Sequence, residues 1–235
     1  MEKQALDELK KKAALKATEF IKPGMIVGLG SGSTICFFIE ALGLLCQRGM
    51  SIQAIAASSS SSALALKHQI PLLKAAKIDR IDITVDGTDE VDAEFRMIKG
   101  GGGALMREKI LASSSEAVII IIDETKLSLR FARHKLPIEI SPFGCQLTMQ
   151  KINRLGVQGM LRRSHSKELF LTDNGNYIYD IDLVNSTENI ETLNYNLLQL
   201  PGVIETGFFY GYVTLLITSF QNGKVTLQQP IKKRM

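Results

Sequence analysis

Four short segments of the chain concentrate residue types that bind anions, hold hydroxyls and move protons. The densest is Lys99-Gly100-Gly101-Gly102-Gly103-Ala104-Leu105-Met106-Arg107-Glu108. Four consecutive glycines cost backbone entropy on folding, which makes sense where main chain must approach a ligand closely. Their N–H groups can form an oxyanion-type cradle at the start of the next helix. Lys99 adds a positive charge, and Glu108 lies about one helical turn into that helix, within reach of the same ligand. A second segment, Asp86-Gly87-Thr88-Asp89-Glu90-Val91-Asp92, gathers four carboxylates at the end of a strand. Their mutual repulsion suggests a use: hydroxyl recognition, proton transfer or a metal. The spacing fails the EF-hand pattern, and without a His or Cys nearby a transition-metal site is disfavoured.

The third segment is Gly28-Leu29-Gly30-Ser31-Gly32-Ser33-Thr34. The amides of such a turn, backed by a helix N-terminus, bind anions. It lacks the lysine of a P-loop, and Ser33 occupies the last glycine position of G-x-G-x-x-G, so neither nucleoside triphosphate nor dinucleotide binding is favoured. In the fourth, Asp123-Glu124-Thr125-Lys126, Lys126 follows a buried strand directly. Lys10, beside the apolar stripe of the first helix, is a weaker candidate. His68, His134 and His165 have neither triad nor ligand spacing.

These segments need a frame that brings them together. Leu6, Leu9, Ala13, Ala17 and Phe20 give a helical stripe over residues 3–21, ended by Pro23-Gly24. Strands are expected at 25–29, 52–57, 81–85 and 118–122, and helices at 35–45, 63–68 and 104–114. The serine run Ser58 to Ser62 reads as a loop and helix cap. The five β-branched residues Val118 to Ile122 suggest a strand covered on both faces, as in a parallel sheet. Alternating strands and helices imply an open α/β sheet, in which ligands bind outside the carboxyl ends of the strands. The second half changes character. Pro137, Pro142 and Gly144 interrupt it, and a helix over 149–155, a short strand over 169–172, a hairpin turn at Asp173-Asn174-Gly175-Asn176 and a helix over 190–200 suggest a small second domain. Phe208 to Phe220 is strand material able to rejoin the main sheet.

Composition excludes other classes. The chain has 235 residues, 45% of them apolar, enough for a large core without disulfide or metal staples. With 28 Lys+Arg against 24 Asp+Glu, the formal charge of +4 is too mild to argue for nucleic acid. The short basic clusters at Lys10–Lys12, Arg162-Arg163 and Lys232-Lys233-Arg234 read as solvated faces or tails. Three cysteines without C-x-x-C spacing give no zinc pattern or disulfide framework. No apolar run reaches membrane-spanning length, and the charged start does not resemble a signal peptide. Cytoplasmic location is therefore the expectation. Asn185-Ser186-Thr187 matches the glycosylation tripeptide by chance frequency alone.

Taken together, the ordered motifs Gly28–Thr34, Asp86–Asp92, Lys99–Leu105 with Glu108-Lys109-Ile110, and Lys126 resemble the type A ribose-5-phosphate isomerases. Asp173–Asn176 and Leu200-Pro201-Gly202-Val203 resemble further family segments. The resemblance implies interconversion of D-ribose 5-phosphate and D-ribulose 5-phosphate through an enediol, with no metal or organic cofactor. By position it implies Glu108 as general base, with Asp86, Asp89 and Lys99 also catalytic. It implies substrate binding by Ser31, Gly32, Ser33 and Thr34, by Asp86, Gly87, Thr88 and Asp89, by Lys99, Gly100, Gly101 and Gly102, and by Lys126 and Lys10. The implied fold is an open, mostly parallel α/β sheet domain (1–131 plus 205–235) with a smaller α+β, ferredoxin-like lid (132–204). The implied assembly is a homodimer or homotetramer, acting on a phosphorylated pentose, with no nucleic-acid or membrane partner. Ser31 stands where many members have threonine, Thr88 where alanine is common, and His68-Gln69-Ile70 where a Gly-Ile turn is common. Two other classes share parts of the pattern. A sugar-phosphate sensor would have no need of Glu108 and normally carries a DNA-binding domain, for which about 24 residues before the first strand are too few. A CoA-type acyl transferase, using a glutamate as nucleophile, is expected to be longer.

Overall fold

A computed structural model describes residues 3–131, 133–183 and 189–230. The tripeptide at Asn185 and the basic Lys232, Lys233 and Arg234 lie outside the described residues.

The first half runs α1 (Lys3–Thr18), β1 (Ile26–Leu29), α2 (Ser33–Gln47), β2 (Gln53–Ala56), α3 (Ser59–Lys67), β3 (Ile81–Asp86), β4 (Glu90–Val91), β5 (Met97–Ile98), α4 (Leu105–Ser113) and β6 (Ser115–Asp123). A short 3₁₀ turn, Glu124–Lys126, follows. The chain continues through β7 (Leu136–Ile140), α5 (Cys145–Asn153), β8 (Gly159–Leu161), β9 (Tyr177–Ile181), α6 (Ile190–Leu198) and β10 (Val203–Thr206), then β11 (Phe208–Phe209), β12 (Leu215–Ser219) and β13 (Val225–Gln228).

The run Val118–Ile122 shows why the main sheet is buried on both faces. Alternate side chains of β6 enter different cores: Ile119 and Ile121 pack with Val27, Phe38 and Ile39, whereas Val118, Ile120 and Ile122 pack with Leu105, Phe209 and Leu216. Each buried aliphatic contributes about 1.5–3 kcal/mol relative to exposure, so β6 cannot slip by one residue without exchanging its two faces. The sheet order is β13-β12-β6-β3-β1-β2. All pairs are parallel except the edge pair β12–β13. β1 lies between β2 and β3, with α2 in the core on one face and α4 in the core on the other. The crevice where successive connections leave in opposite directions thus opens at the carboxyl ends of β1 and β3, where such sheets bind ligands.

Residues 136–206 run β7-α5-β8-β9-α6-β10, with spatial order β10-β7-β9-β8 and every pair antiparallel. This is the ferredoxin-like arrangement of a split βαβ unit. Its core joins Leu136, Ile138 and Ile140 to Leu193 and Leu197 of α6. Pro137 does not interrupt this region as expected. It is the second residue of β7, near the strand start, where a missing N–H is tolerated. A third, three-stranded sheet, β11-β5-β4, sits beside the main one.

Other local differences have clear causes. The serine run is not a loop throughout, because Ser58 caps α3 by accepting from Ser61 N at 3.1 Å and Ser59–Ser62 form the first turn. Leu169–Thr172 makes only isolated bridges, Arg163 with Leu169 and Leu171 with Tyr177. The stretch 208–220 divides into β11, paired with β5, and β12, parallel to β6.

Candidate active site

Each candidate loop leaves the carboxyl end of a strand or opens a helix. Gly30–Gly32 follows β1, Gly87–Asp89 follows β3, and the turn bearing Lys126 follows β6. Lys99 and the glycines follow β5, which is held in place by Lys99 N donating to Gly207 O at 2.8 Å. These loops enclose a cavity of about 90 Å³ lined by Ser31–Thr34, Gly87–Asp89, Lys99–Gly102, Glu108 and Lys126. A roomier groove of about 560 Å³ runs past Val91, Phe95, Leu127 and Leu227. Its lining is mainly apolar, and its Asp92 is already paired with Arg96 at 2.7 Å.

Beneath the cavity, Asp86, Lys99 and Glu108 form a buried chain, each at most 4% exposed. Lys99 Nζ stands 3.0 Å from Asp86 Oδ2 and 3.2 Å from Glu108 Oε2, and donates to Gly87 O at 2.5 Å. Asp86 Oδ1 accepts from Ser31 N (3.1 Å) and Gly87 N (2.8 Å), tying the first two loops together. Gly30 is required here: a Cβ on it would fall 1.9 Å from Asp86 Oδ1. Burial raises the pKa of the Asp86 carboxyl, against the pull of Lys99. Glu108 is pushed up to about 8, first by burial, then by the negative charge of Asp86, with Lys99 opposing. Burial acts to lower the pKa of the Lys99 ammonium, but Asp86 and Glu108 outweigh it and the net shift is upward. Glu108 Oε2 is buried, facing the Lys99 ammonium. Glu108 also lines the cavity, so the carboxyl that Lys99 holds borders the space a ligand would fill.

The two aspartates occupy different places. Asp89 lines the cavity and its Oδ2 accepts from Gly101 N at 2.8 Å, whereas Asp86 lies behind the wall. Thr88 adds no free hydroxyl, since its Oγ1 lies 2.9 and 2.8 Å from the Glu90 and Ile98 carbonyls to which it donates. Lys126 borders the cavity, while Lys10 is not among the lining residues and pairs with Asp7 at 3.3 Å. Among the described residues no three His, Cys, Asp or Glu side chains cluster as a metal site would require, and no helix is long and apolar enough to cross a membrane.

Sequence reasoning passed over residues that brace these loops. Ser31 Oγ donates to Ser58 Oγ (3.1 Å), and Ser61 Oγ to Gly30 O (2.6 Å), so the serine run supports the first loop. Asp173 Oδ2 accepts from Ser59 N at 2.7 Å, and Arg107 reaches Asn174 Oδ1 at 2.8 Å, joining the small domain to helices on either side of the site. The hairpin-turn signal at Asp173–Asn176 located these residues without showing what they touch.

Residues 53–223 match the family model described as ribose 5-phosphate isomerase A (phosphoriboisomerase A). The chain is 43% identical over 219 residues to ribose-5-phosphate isomerase A of Listeria monocytogenes serotype 4b, covering 93% of this chain and 97% of that one. Its fold resembles that of ribose 5-phosphate isomerase from Plasmodium falciparum, with a TM-score of 0.92, 34% identity and coverage of 97% and 100%. It also resembles a D-ribose-5-phosphate isomerase solved with phospho-erythronic acid, with a TM-score of 0.89, 34% identity and coverage of 95% and 99%.

Proposed function

This chain belongs to the ribose 5-phosphate isomerase A family, and from that premise we propose how its cavity interconverts D-ribose 5-phosphate and D-ribulose 5-phosphate. The observation that carries the reading is Glu108: a buried carboxylate with a raised pKa, paired with Lys99 at 3.2 Å, on the same cavity wall as the glycine turn. A carboxylate with its pKa near the operating pH suits a general base.

Glu108 takes the proton from C2 of the opened aldose. The C–H electrons form the C1–C2 double bond, and the O1 carbonyl becomes an oxyanion. The proton on O2 passes to O1 as the C2 carbonyl forms, and Glu108 returns its proton to C1. Asp89, on the cavity wall, is placed to relay between O1 and O2. Asp86 holds the loops and Lys99 from behind. Lys99 is encircled by Gly87 O, Asp86 and Glu108, so its task is to keep the carboxylates in place and in balance. The developing oxyanion falls to the glycine-turn amides, whose loss would cost about 2.7–4 kcal/mol of barrier by analogy with other such donors. Ser31, Gly32, Ser33, Thr34 and Lys126 hold the phosphate at the N-terminus of α2, with Lys10 as a further lysine that substrate could draw in.

We assign catalysis to residues 1–131 plus 205–235 and a lid role to 132–204. Following the family resemblance, we place the enzyme in the cytoplasm as a homodimer or homotetramer needing no metal or organic cofactor. The test is a ribose 5-phosphate isomerase assay on purified protein. Glu108→Gln should bind substrate and lose about 10²–10⁴-fold in kcat. Near-normal turnover in that variant would overturn the assignment, and loss of wild-type activity on adding EDTA would revive a metal.

A further inference from the structure

The glycine turn is held from behind by the small domain. Arg162, just after β8, uses Nε and Nη2 to grip Asp180 at 2.8 and 2.5 Å. Its Nη1 then donates to two successive carbonyls of the turn, Gly100 O at 2.8 Å and Gly101 O at 3.0 Å. The guanidinium also lies 5.7 Å from the centre of the Phe170 ring, and that ring packs where a Cβ on Gly103 would stand, 2.4 Å from Phe170 Cε1. Arg162 is not among the residues lining the cavity.

In a trans peptide the N–H points opposite the C=O, so a residue that fixes a carbonyl also aims the next amide. With Gly100 O turned to Arg162, Gly101 N–H points the other way, and it is there that Asp89 Oδ2 receives it at 2.8 Å. With Gly101 O likewise turned to Arg162, Gly102 N–H faces the cavity side, and no protein acceptor takes it among the described residues. Gly100 and Gly103 have φ of +102° and +79°, and the turn is closed by Gly103 N donating to Gly100 O at 2.9 Å. A run of glycines has little conformational preference of its own, so the orientation of these planes must be imposed from outside.

We propose that Arg162 is a positioning residue for the isomerisation: it locks two successive peptide planes so that Gly101 N–H orients Asp89 and Gly102 N–H meets the developing oxyanion. The inference rests on the functional reading above. Only arginine suits this position, because its planar fork can hold a carboxylate with one edge and span two carbonyls with the remaining nitrogen.

The test compares Arg162→Met and Arg162→Lys with wild type and with Glu108→Gln. Both Arg162 variants should lose about 10–100-fold in kcat, less than the about 10²–10³-fold lost when an oxyanion donor itself is removed. Affinity for phospho-erythronic acid, whose carboxylate mimics the enediolate oxygens, should fall with kcat. Inhibition by inorganic phosphate, which reads the α2 loop alone, should stay within about twofold. If Arg162→Met does not fold, as judged by circular dichroism, Arg162→Lys, which keeps stem and charge, answers the same question. A folded variant with kcat and phospho-erythronic acid affinity within twofold of wild type overturns the inference, and so does an equal loss of phosphate affinity, which would mark Arg162 as a general domain tie. If Glu108→Gln keeps its turnover, the functional reading falls; if it is silent while the Arg162 variants work normally, only this inference falls.

Discussion

At the scale of single residues, two buried carboxyls, Asp86 and Glu108, crowd one ammonium, Lys99, and burial with the negative charge of Asp86 holds Glu108 well above the usual carboxylate range. Its pKa, raised to about 8, makes two measurable statements. As a base it must be ionised, so kcat/KM should climb with pH through a midpoint near 8, and a flat profile between pH 6 and 9 would contradict its role. For stability, the unfolded carboxyl ionises near its ordinary value of 4.5, where the folded one would still hold its proton. The native state therefore binds more protons across that interval, and the contribution is complete below about 4.5 and lost as pH rises through about 8. Glu108→Gln removes this penalty, so its thermal midpoint should exceed wild type at pH 8, by about 2–4 °C per kcal/mol gained, even as its kcat falls. A lower midpoint would mean that the ion pair with Lys99 stabilises more than burial costs. Glu108 was legible in the sequence because one helical turn separates it from the glycines. The different placement of Asp86 and Asp89 was not, because it depends on which way each carboxylate turns after the strand.

At the scale of elements, a helix end offers a cleaner test. α3 closes with Ile70 N donating to Ala65 O at 2.9 Å, and Gln69 just past its C-cap has φ +58°. This is the left-handed position that helices usually fill with glycine, and a residue with a Cβ pays about 1–2 kcal/mol there. Gln69→Gly should therefore stabilise by about 1 kcal/mol after the added freedom of the unfolded chain is counted, with kcat unchanged. Differential scanning calorimetry showing no gain would mean that the glutamine side chain makes compensating contacts. The Gly-Ile sequence common in the family marks the same turn. Long periodic elements such as α1, α2 and β6 were equally legible. The two-residue strands β4 and β5 were not, because so short a span carries no alternation, and they are defined by pairing with each other and with β11.

At the scale of the whole molecule, the ties between the small domain and the main sheet are the least legible part of the sequence. Arg162 reaches Gly100 across 62 positions, and no local pattern separates it from its exposed neighbour Arg163. The same holds for Glu90, which reads as one more acid in a charged turn but is fully buried. Its Oε1 accepts from Arg133 N (3.1 Å), His134 N (2.6 Å) and His134 Nδ1 (3.0 Å), fixing the segment that leads into β7, while Oε2 has no partner. β7 in turn carries Pro137 against Gly100: a Cβ there would come 3.3 Å from the proline ring. Removing the acceptor should therefore matter more than removing the charge. Glu90→Gln can keep an oxygen toward the three donors and should stay within about 1 kcal/mol of wild type. Glu90→Ala strands two backbone amides and should cost about 3 kcal/mol, a fall of about 6–12 °C in the thermal midpoint, with a loss of kcat as the glycine turn loses its backing. Equal midpoints for the two variants would show that the buried carboxylate is not what holds the crossing between domains.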